Sequence, residues 1–411
     1  MTRVSRTQIR RRRSFVAVVG VTALIVVIAL RPGRGATDTT SASRPPPPSA
    51  SARAGVSAPA GDPVPAWLAW IPGGFPDGFR ARISHDADLE TEAVVAGDTL
   101  WMTASHDATG AVIDQPTPPY EIPLDAFAVD PQEYAPFLPS GDRERIISAL
   151  REGKAVLGQR SAELRRLGPG GSISFGATTV TVGAVAPDAE VGWSEILVNR
   201  GLGARLGISH DRYLLALGDP GLTLHRFDAD VRRLIASDSP LRTVPPGGTP
   251  YVRVASGVDP PIVLKEVFGE FAAYPRSDDP AYLVVDPAWY HAHIVTRTVP
   301  IFPEPVTCNR ALFPMLIGAL QRVQDAGLAS EIHVYSGCYA ARTVARSTTA
   351  PPSQHAYGAA IDINAPENPY GARPVMDPRI VRIFERWGFN WGGDFLIPDG
   401  MHFEYGKPPP A

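Results

Sequence analysis

The sequence predicts an α+β protein of two or three domains, and three observations lead there. Short runs with strand alternation, such as Thr178 to Val185, recur between stretches of helical period, such as Asp142 to Glu152. Forty-three prolines are too many for an all-helical chain, while 44% hydrophobic residues suffice for real cores. A length of 411 residues exceeds one ordinary domain.

The chain opens with an address. Its first 35 residues hold eight arginines and no acid, four of them in the run Arg10 to Arg13. Residues 1–13 read as a basic cytoplasmic tail. The apolar run Ser14 to Leu30 comes next, 17 residues without a charge. As a helix it would rise about 26 Å, close to the thickness of a hydrocarbon core. Arginines before it favour a cytoplasmic N-terminus. A secretory signal peptide is the rival, but the run is long for one and no small-x-small cleavage site comes after Leu30. The expectation is a single-pass anchor over 14–30; either reading exports the remainder of the chain.

Charge agrees with export. The whole chain carries −3 and its first 35 residues +8, so the rest carries −11 and offers no basic face to a nucleic acid. Residues 31–64 are rich in Pro, Ser, Ala and Gly. They cannot bury enough apolar surface to offset their ordering, and Pro45 to Pro48 should be extended and stiff, so this is a spacer.

Residues 65–287 read as a first α+β domain. Strands are expected at Glu92–Ala96, Thr99–Thr103, Ser172–Phe175, Thr178–Val185, Glu195–Val198 and Tyr251–Val254. Helices are expected at Asp142–Glu152, Ser161–Leu167 and Asp228–Ile235. GPGGS (Gly168 to Ser172) lacks the Lys-Ser/Thr that ends a phosphate loop and is expected to be a tight turn between strands. His291 and His293 share one face of an expected strand, HAHIV, where core or exposed histidines are commoner than metal ligands.

The last stretch, 299–411, carries the chemistry. Asn309 is expected to cap a helix from Arg310 to Ala326, with Leu312, Leu316, Leu320 and Val323 on its apolar stripe and Gly327 at its end. A strand at Ile332–Tyr335 should come after it, then a second helix at Ile380–Trp387. Cys308 and Cys338 are the only cysteines, and in an exported chain the pair reads as a disulfide. A catalytic Cys338 lacks any indicated partner.

SQHAYGAAIDIN (Ser353 to Asn364) and DGMHFE (Asp399 to Glu404) supply two histidines and an aspartate that suit one metal ion. In the first, alternation puts Asp362 on the face opposite Ile361 and Ile363, with Gly358 letting the chain bend back to His355. In the second, His402 and Glu404 lie opposite Met401, Phe403 and Tyr405. Two adjacent strands would aim Asp362 and His402 at one point. A catalytic zinc takes three such ligands and leaves a position to water. Asp399 sits where a carboxylate can reach that water without holding the metal.

These motifs, with SGCYAAR (Ser336 to Arg342) and GFNWGG (Gly388 to Gly393), resemble those of VanY-like cell-wall peptidases. That family comprises zinc D-Ala-D-Ala carboxypeptidases and L-alanyl-D-glutamate endopeptidases. The resemblance implies a DD-peptidase-like, hedgehog-type fold with a small antiparallel sheet and flanking helices. It implies zinc at His355, Asp362 and His402, a general base at Asp399, and Arg342 stabilising an oxyanion or holding substrate. Ser353 and Glu404 would orient the ligands. Two alanines separate Tyr339 from Arg342, where many members have Tyr and Arg adjacent. The implied substrate is the stem peptide of peptidoglycan. Residues 155–217 are similar to the extracytoplasmic domain of MacB/FtsX-type permeases, which implies a module that binds or positions a protein partner. A non-catalytic wall-binding protein that keeps the zinc fold is the alternative.

Overall fold

The computed structural model describes residues 64–85, 89–218, 220–247 and 259–406. The expected tail, anchor and most of the spacer, the strand Tyr251–Val254 and the last residues of the chain lie outside them. Among the described residues, no helix is long and apolar enough to cross a membrane. The described residues fall in one compact unit.

Eleven strands build a mixed sheet: β1 (Trp67–Trp70), β2 (Leu89–Met102), β3 (Ala104–His106), β4 (Val112–Asp114), β5 (Ile122–Val129), β6 (Ala155–Gly158), β7 (Ser172–Phe175), β8 (Thr178–Ala186), β9 (Ile196–Asn199), β10 (Asp211–Gly218) and β11 (Arg242–Val244). Their order is β11-β1-β10-β2-β5-β9-β6-β8-β7-β3-β4. Two pairs, β5–β9 and β6–β8, are parallel. β2 runs unbroken where two strands were expected on either side of Gly97 and Asp98. Gly97 is there for clearance rather than for a turn: a Cβ would stand 2.9 Å from the Phe127 ring on β5. The three expected helices appear as Ser140–Arg151, Gln159–Arg165 and Leu224–Arg232. The GPGGS turn joins a helix, Gln159–Arg165, to β7, rather than two strands.

The rest of the chain adds two small hairpins and a four-stranded sheet. β12 (Ala273–Pro275) pairs with β13 (Leu283–Val285), and β14 (Ile294–Arg297) with β15 (Val306–Asn309). β16 (Tyr335–Gly337), β17 (Ala360–Ile363), β18 (Phe389–Trp391) and β19 (His402–Tyr405) stand in the order β16-β17-β19-β18. One core serves this part. It runs from Leu264 and Phe268 through Leu312, Leu316, Leu320 and Val323 to Ile361, Ile363, Phe384, Phe403 and Tyr405. The helices Phe313–Asp325 and Pro378–Arg386 supply its apolar stripes. The Phe384 and Phe403 rings meet at 4.6 Å, which seats the second helix against β19.

Three local expectations fail for identifiable reasons. The helix after Asn309 starts at Phe313, because Asn309 ends β15 and its Oδ1 accepts from the Ala311 amide at 3.0 Å to make a turn first. The strand at Ile332–Tyr335 is displaced to β16. The amides of His333 and Val334 donate to the Asn364 side chain at 2.7 and 3.1 Å instead of to a neighbouring strand. HAHIV is divided: His291 and His293 end the helix Pro287–His293, and the strand begins at Ile294. Asp286 caps that helix and Pro287 opens it, an N-terminal signature that outweighs the β-branched tail.

A buried ionic cluster joins the large sheet to the helix Pro261–Phe268. Glu195, next to β9, receives Arg165 at 2.7 Å and the Lys265 ammonium at 2.9 and 3.0 Å. Glu270 also takes both cations. Two cations face two carboxylates, so the buried charge balances. The cluster reaches Tyr357, whose fully buried hydroxyl is pushed well up by burial first and then by Glu195 and Glu270.

Candidate metal centre

The centre is built by register. In the β17–β19 ladder Asp362 lies directly opposite His402, and Ala360 opposite Glu404. Ile361, Ile363, Phe403 and Tyr405 fill the core on one side, so Asp362, His402 and Glu404 take the other, as the alternation predicts. His355 comes from the 3-10 turn Gln354–Tyr357 just before β17. Ser353 caps that turn, its Oγ accepting from the His355 amide at 3.2 Å. Gly358 closes the turn at φ 64°, and a Cβ there would stand 2.5 Å from the Asn309 amide nitrogen.

Three ligand atoms converge. His355 Nε2 lies 3.1 Å from His402 Nδ1 and 3.3 Å from Asp362 Oδ1. His402 Nδ1 and Asp362 Oδ1 are 3.0 Å apart. Atoms bound at about 2.0–2.1 Å around a tetrahedral zinc stand about 3.3 Å from one another. Both histidines are buried and Asp362 is half-buried. His291 and His293 take no part in the group.

The outer nitrogens decide the tautomers. His355 Nδ1 lies 2.7 Å from the carbonyl oxygen of Cys338, which can only accept, so Nδ1 carries the proton and Nε2 presents a lone pair. His402 Nε2 lies 3.1 Å from Glu404 Oε2, so it donates outward and Nδ1 presents the lone pair. Two imidazole lone pairs and a carboxylate oxygen then share one small space. Without a cation, a proton must serve. Burial would lower the His402 pKa, but its bonds to Asp362 and Glu404 prevail and push it up to about 10. Burial likewise works to raise Asp362, and the two histidines overcome it, holding its carboxyl well below the ordinary range. The donor set and its spacing fit zinc.

Cys338 reaches this point through the disulfide to Cys308, whose Cα atoms are 5.5 Å apart. The pairing expected from sequence is present.

Asp399 stands beside the triad. Its amide donates to the Gly392 carbonyl at 2.8 Å, and its carbonyl accepts the His402 amide at 3.0 Å. A Cβ on Gly392 would lie 2.5 Å from the Asp399 carbonyl oxygen, so the GFNWGG loop can approach only with glycine here. Trp391 donates from Nε1 to Gly400 at 3.0 Å and fixes the turn between Asp399 and His402. Phe389 is buried in the core and Trp391 packs on Phe403, so both serve as wall. Asp399 Oδ1 is buried, with no hydrogen-bond partner among the described residues. Burial raises the Asp399 pKa and Asp362 adds to this, while His402, His355 and Arg342 pull the other way.

Arg342 is therefore near enough for Asp399 to feel its charge. Its backbone is held on both sides, by a bridge to Tyr282 and by the Ser353 amide, which donates to its carbonyl at 2.9 Å. Among the described residues its guanidinium bonds the neighbouring Thr343 carbonyl alone, at 3.3 Å.

Two contributors gave no sequence signal. The Cys338 carbonyl is backbone, and no side-chain pattern marks it. Asp259 lies far upstream, accepts from Asn390 at 3.3 Å, and has its carboxyl pushed up to about 7 by burial and then by Glu404.

Residues 346–405 match the family model for D-alanyl-D-alanine carboxypeptidase. The matched segment contains the whole triad, Ser353, Asp399 and Glu404; Arg342 and both cysteines precede it. No curated protein matches the chain. Among solved structures, the chain is similar to the periplasmic region of MacB from Actinobacillus actinomycetemcomitans. That match has 9% identity and a TM-score of 0.30, covering 44% of this chain and 88% of that one. It is also similar to the extracellular domain of the ABC-type transporter YknZ from Gram-positive bacteria, at 12% identity and a TM-score of 0.28, covering 44% and 100%.

Proposed function

We propose that this chain is an exported zinc peptidase that cleaves peptidoglycan stem peptides, as a D,D-carboxypeptidase or an L,D-type endopeptidase. The observation that carries the reading is the triangle of lone pairs at His355, Asp362 and His402, with the unpartnered Asp399 carboxylate beside it. The M15-type match over the same residues supports the substrate class. Export is inferred from the basic and apolar N-terminal run and agrees with the disulfide.

His355 Nε2, Asp362 Oδ1 and His402 Nδ1 would hold the ion. Zinc, when bound, polarises the scissile carbonyl and makes a water nucleophilic at neutral pH. Asp399 accepts the proton of the attacking water and later returns it to the leaving amine. Arg342 places positive charge where the carbonyl oxygen becomes negative. Ser353 and the Cys338 carbonyl fix His355, and Glu404 fixes His402. Residues 65–287 would bind or position a protein partner, and 14–30 would anchor the chain.

The test is hydrolysis of a defined stem pentapeptide by the full chain, read by mass spectrometry. Release of D-Ala, or of a new amino terminus, should stop with chelator and return with zinc. Intact peptide under zinc-replete conditions would reject the peptidase reading.

A further inference from the structure

On the far side of the four-stranded sheet from the triad lies a second charged feature. His402 and Phe403 alternate across β19, and Phe403 faces the helix Pro378–Arg386. That helix and the end of Phe313–Asp325 enclose a groove of about 240 Å³ lined by Arg322, Arg379, Arg382, Arg386, Leu328 and Ile383. The helices can approach so closely because Gly318 faces Trp387; a Cβ there would stand 2.3 Å from the indole. This contact brings Arg322, one turn beyond Gly318, towards Arg386, the neighbour of Trp387.

The groove is a local basic face on a stretch whose net charge of −11 argued for none; net charge does not show how the arginines cluster. Arg379, Arg382 and Arg386 run along one face at i, i+3 and i+7, and all four arginines are exposed. Arg379 pairs with Asp377, and Glu331 also reaches it. Asp377 feels Arg382 as well. No side-chain ion pair or hydrogen bond is found for Arg322, Arg382 and Arg386 among the described residues. Like charges at such spacings repel and destabilise a helix unless an anion offsets them. Buried Leu328 and Ile383 form an apolar floor.

We propose that this groove binds a linear polyol phosphate polymer. Guanidinium groups take phosphate oxygens in bidentate pairs. The three arginines of one helix face span about 10 Å, longer than one phosphate bridges, so successive phosphates along a chain match them. The apolar floor accepts the carbon units between phosphates. The assignment stands whether or not the triad is a peptidase.

Binding of the full chain to soluble polyglycerol phosphate tests it, with inorganic phosphate and phosphatidylglycerol–phosphatidylcholine vesicles as separate arms. Saturable, salt-sensitive binding of the polymer is expected, with far weaker binding of inorganic phosphate. The double variant Arg382→Gln, Arg386→Gln should weaken polymer binding by about tenfold or more while keeping the melting temperature. Arg226→Gln, on a helix of the other part of the molecule, should leave it unchanged. No polymer binding, equal binding by the double variant, or binding to vesicles alone would overturn the proposal.

Discussion

The Nδ1 of His355 donates to the carbonyl oxygen of Cys338 at 2.7 Å, and the sulfur of Cys338 is joined to Cys308. A covalent cross-link thus ends at the residue whose carbonyl sets the tautomer of a candidate ligand. The Ala340 amide returns the contact by donating to the His355 carbonyl at 3.0 Å.

Breaking this link should have two effects. The bridge closes a loop of 30 residues. On the chain-entropy account its loss costs about 3–4 kcal/mol. A Cys308→Ser, Cys338→Ser variant should unfold at lower denaturant, and its zinc affinity should fall because His355 is less well held. Unchanged affinity in the folded variant would mean that the Cys338 carbonyl is held without the bridge.

Zinc should displace a proton. Bonds to Asp362 and Glu404 push the pKa of the bare His402 up to about 10, so zinc binding at neutral pH should release about one proton, and affinity should weaken as pH falls. Calorimetry in buffers of different ionisation enthalpy reads this directly. Glu404→Gln should weaken zinc binding about 10- to 100-fold, because the Nε2 proton loses its charged acceptor.

Asp399 should matter for turnover and not for metal content. Asp399→Asn is expected to lower kcat about 10²- to 10⁴-fold with zinc retained. The base works ionised, so activity should fall as pH decreases through its pKa. In the metal-free chain burial raises that pKa. The stability sign is opposite to that of a salt-bridged acid. A raised folded pKa contributes stability below the unfolded pKa, which is lost as pH rises through the folded one. In the metal-free chain, Asp399→Asn should therefore gain stability relative to the wild type above that range, as measured by denaturant unfolding.

The ionic cluster should be costly to unbalance. Lys265→Met removes one cation from Glu195 and Glu270 and leaves buried carboxylate charge with Arg165 alone. A loss of about 3–5 kcal/mol is expected in chemical denaturation. Arg165 and Tyr357 bound the same space, so the turn that carries His355 should loosen as well.

The centre was more legible than the scaffold. Alternation in AIDI and HFEY assigned Asp362 and His402 to one face because each strand has a dry side and a polar side. The ladder then placed them opposite each other. β5 was missed because all eight of its residues are buried, so Ile122 to Val129 shows no alternation, and Pro123 and Asp125 read as breakers. The backbone at Asp125 is tied in by a tertiary contact, its amide donating to the Glu195 side chain at 2.9 Å. The Asn364 side chain that displaced the expected strand at Ile332 acts across some thirty residues, beyond any local window.

The most direct measurement is a crystal structure of the zinc-loaded protein with anomalous data at the zinc edge. One peak should lie about 2.0–2.2 Å from His355 Nε2, Asp362 Oδ1 and His402 Nδ1 together, with a fourth position filled by solvent. A zinc peak elsewhere, or none between these three atoms at saturating zinc, would contradict the metal centre and the hydrolysis built on it.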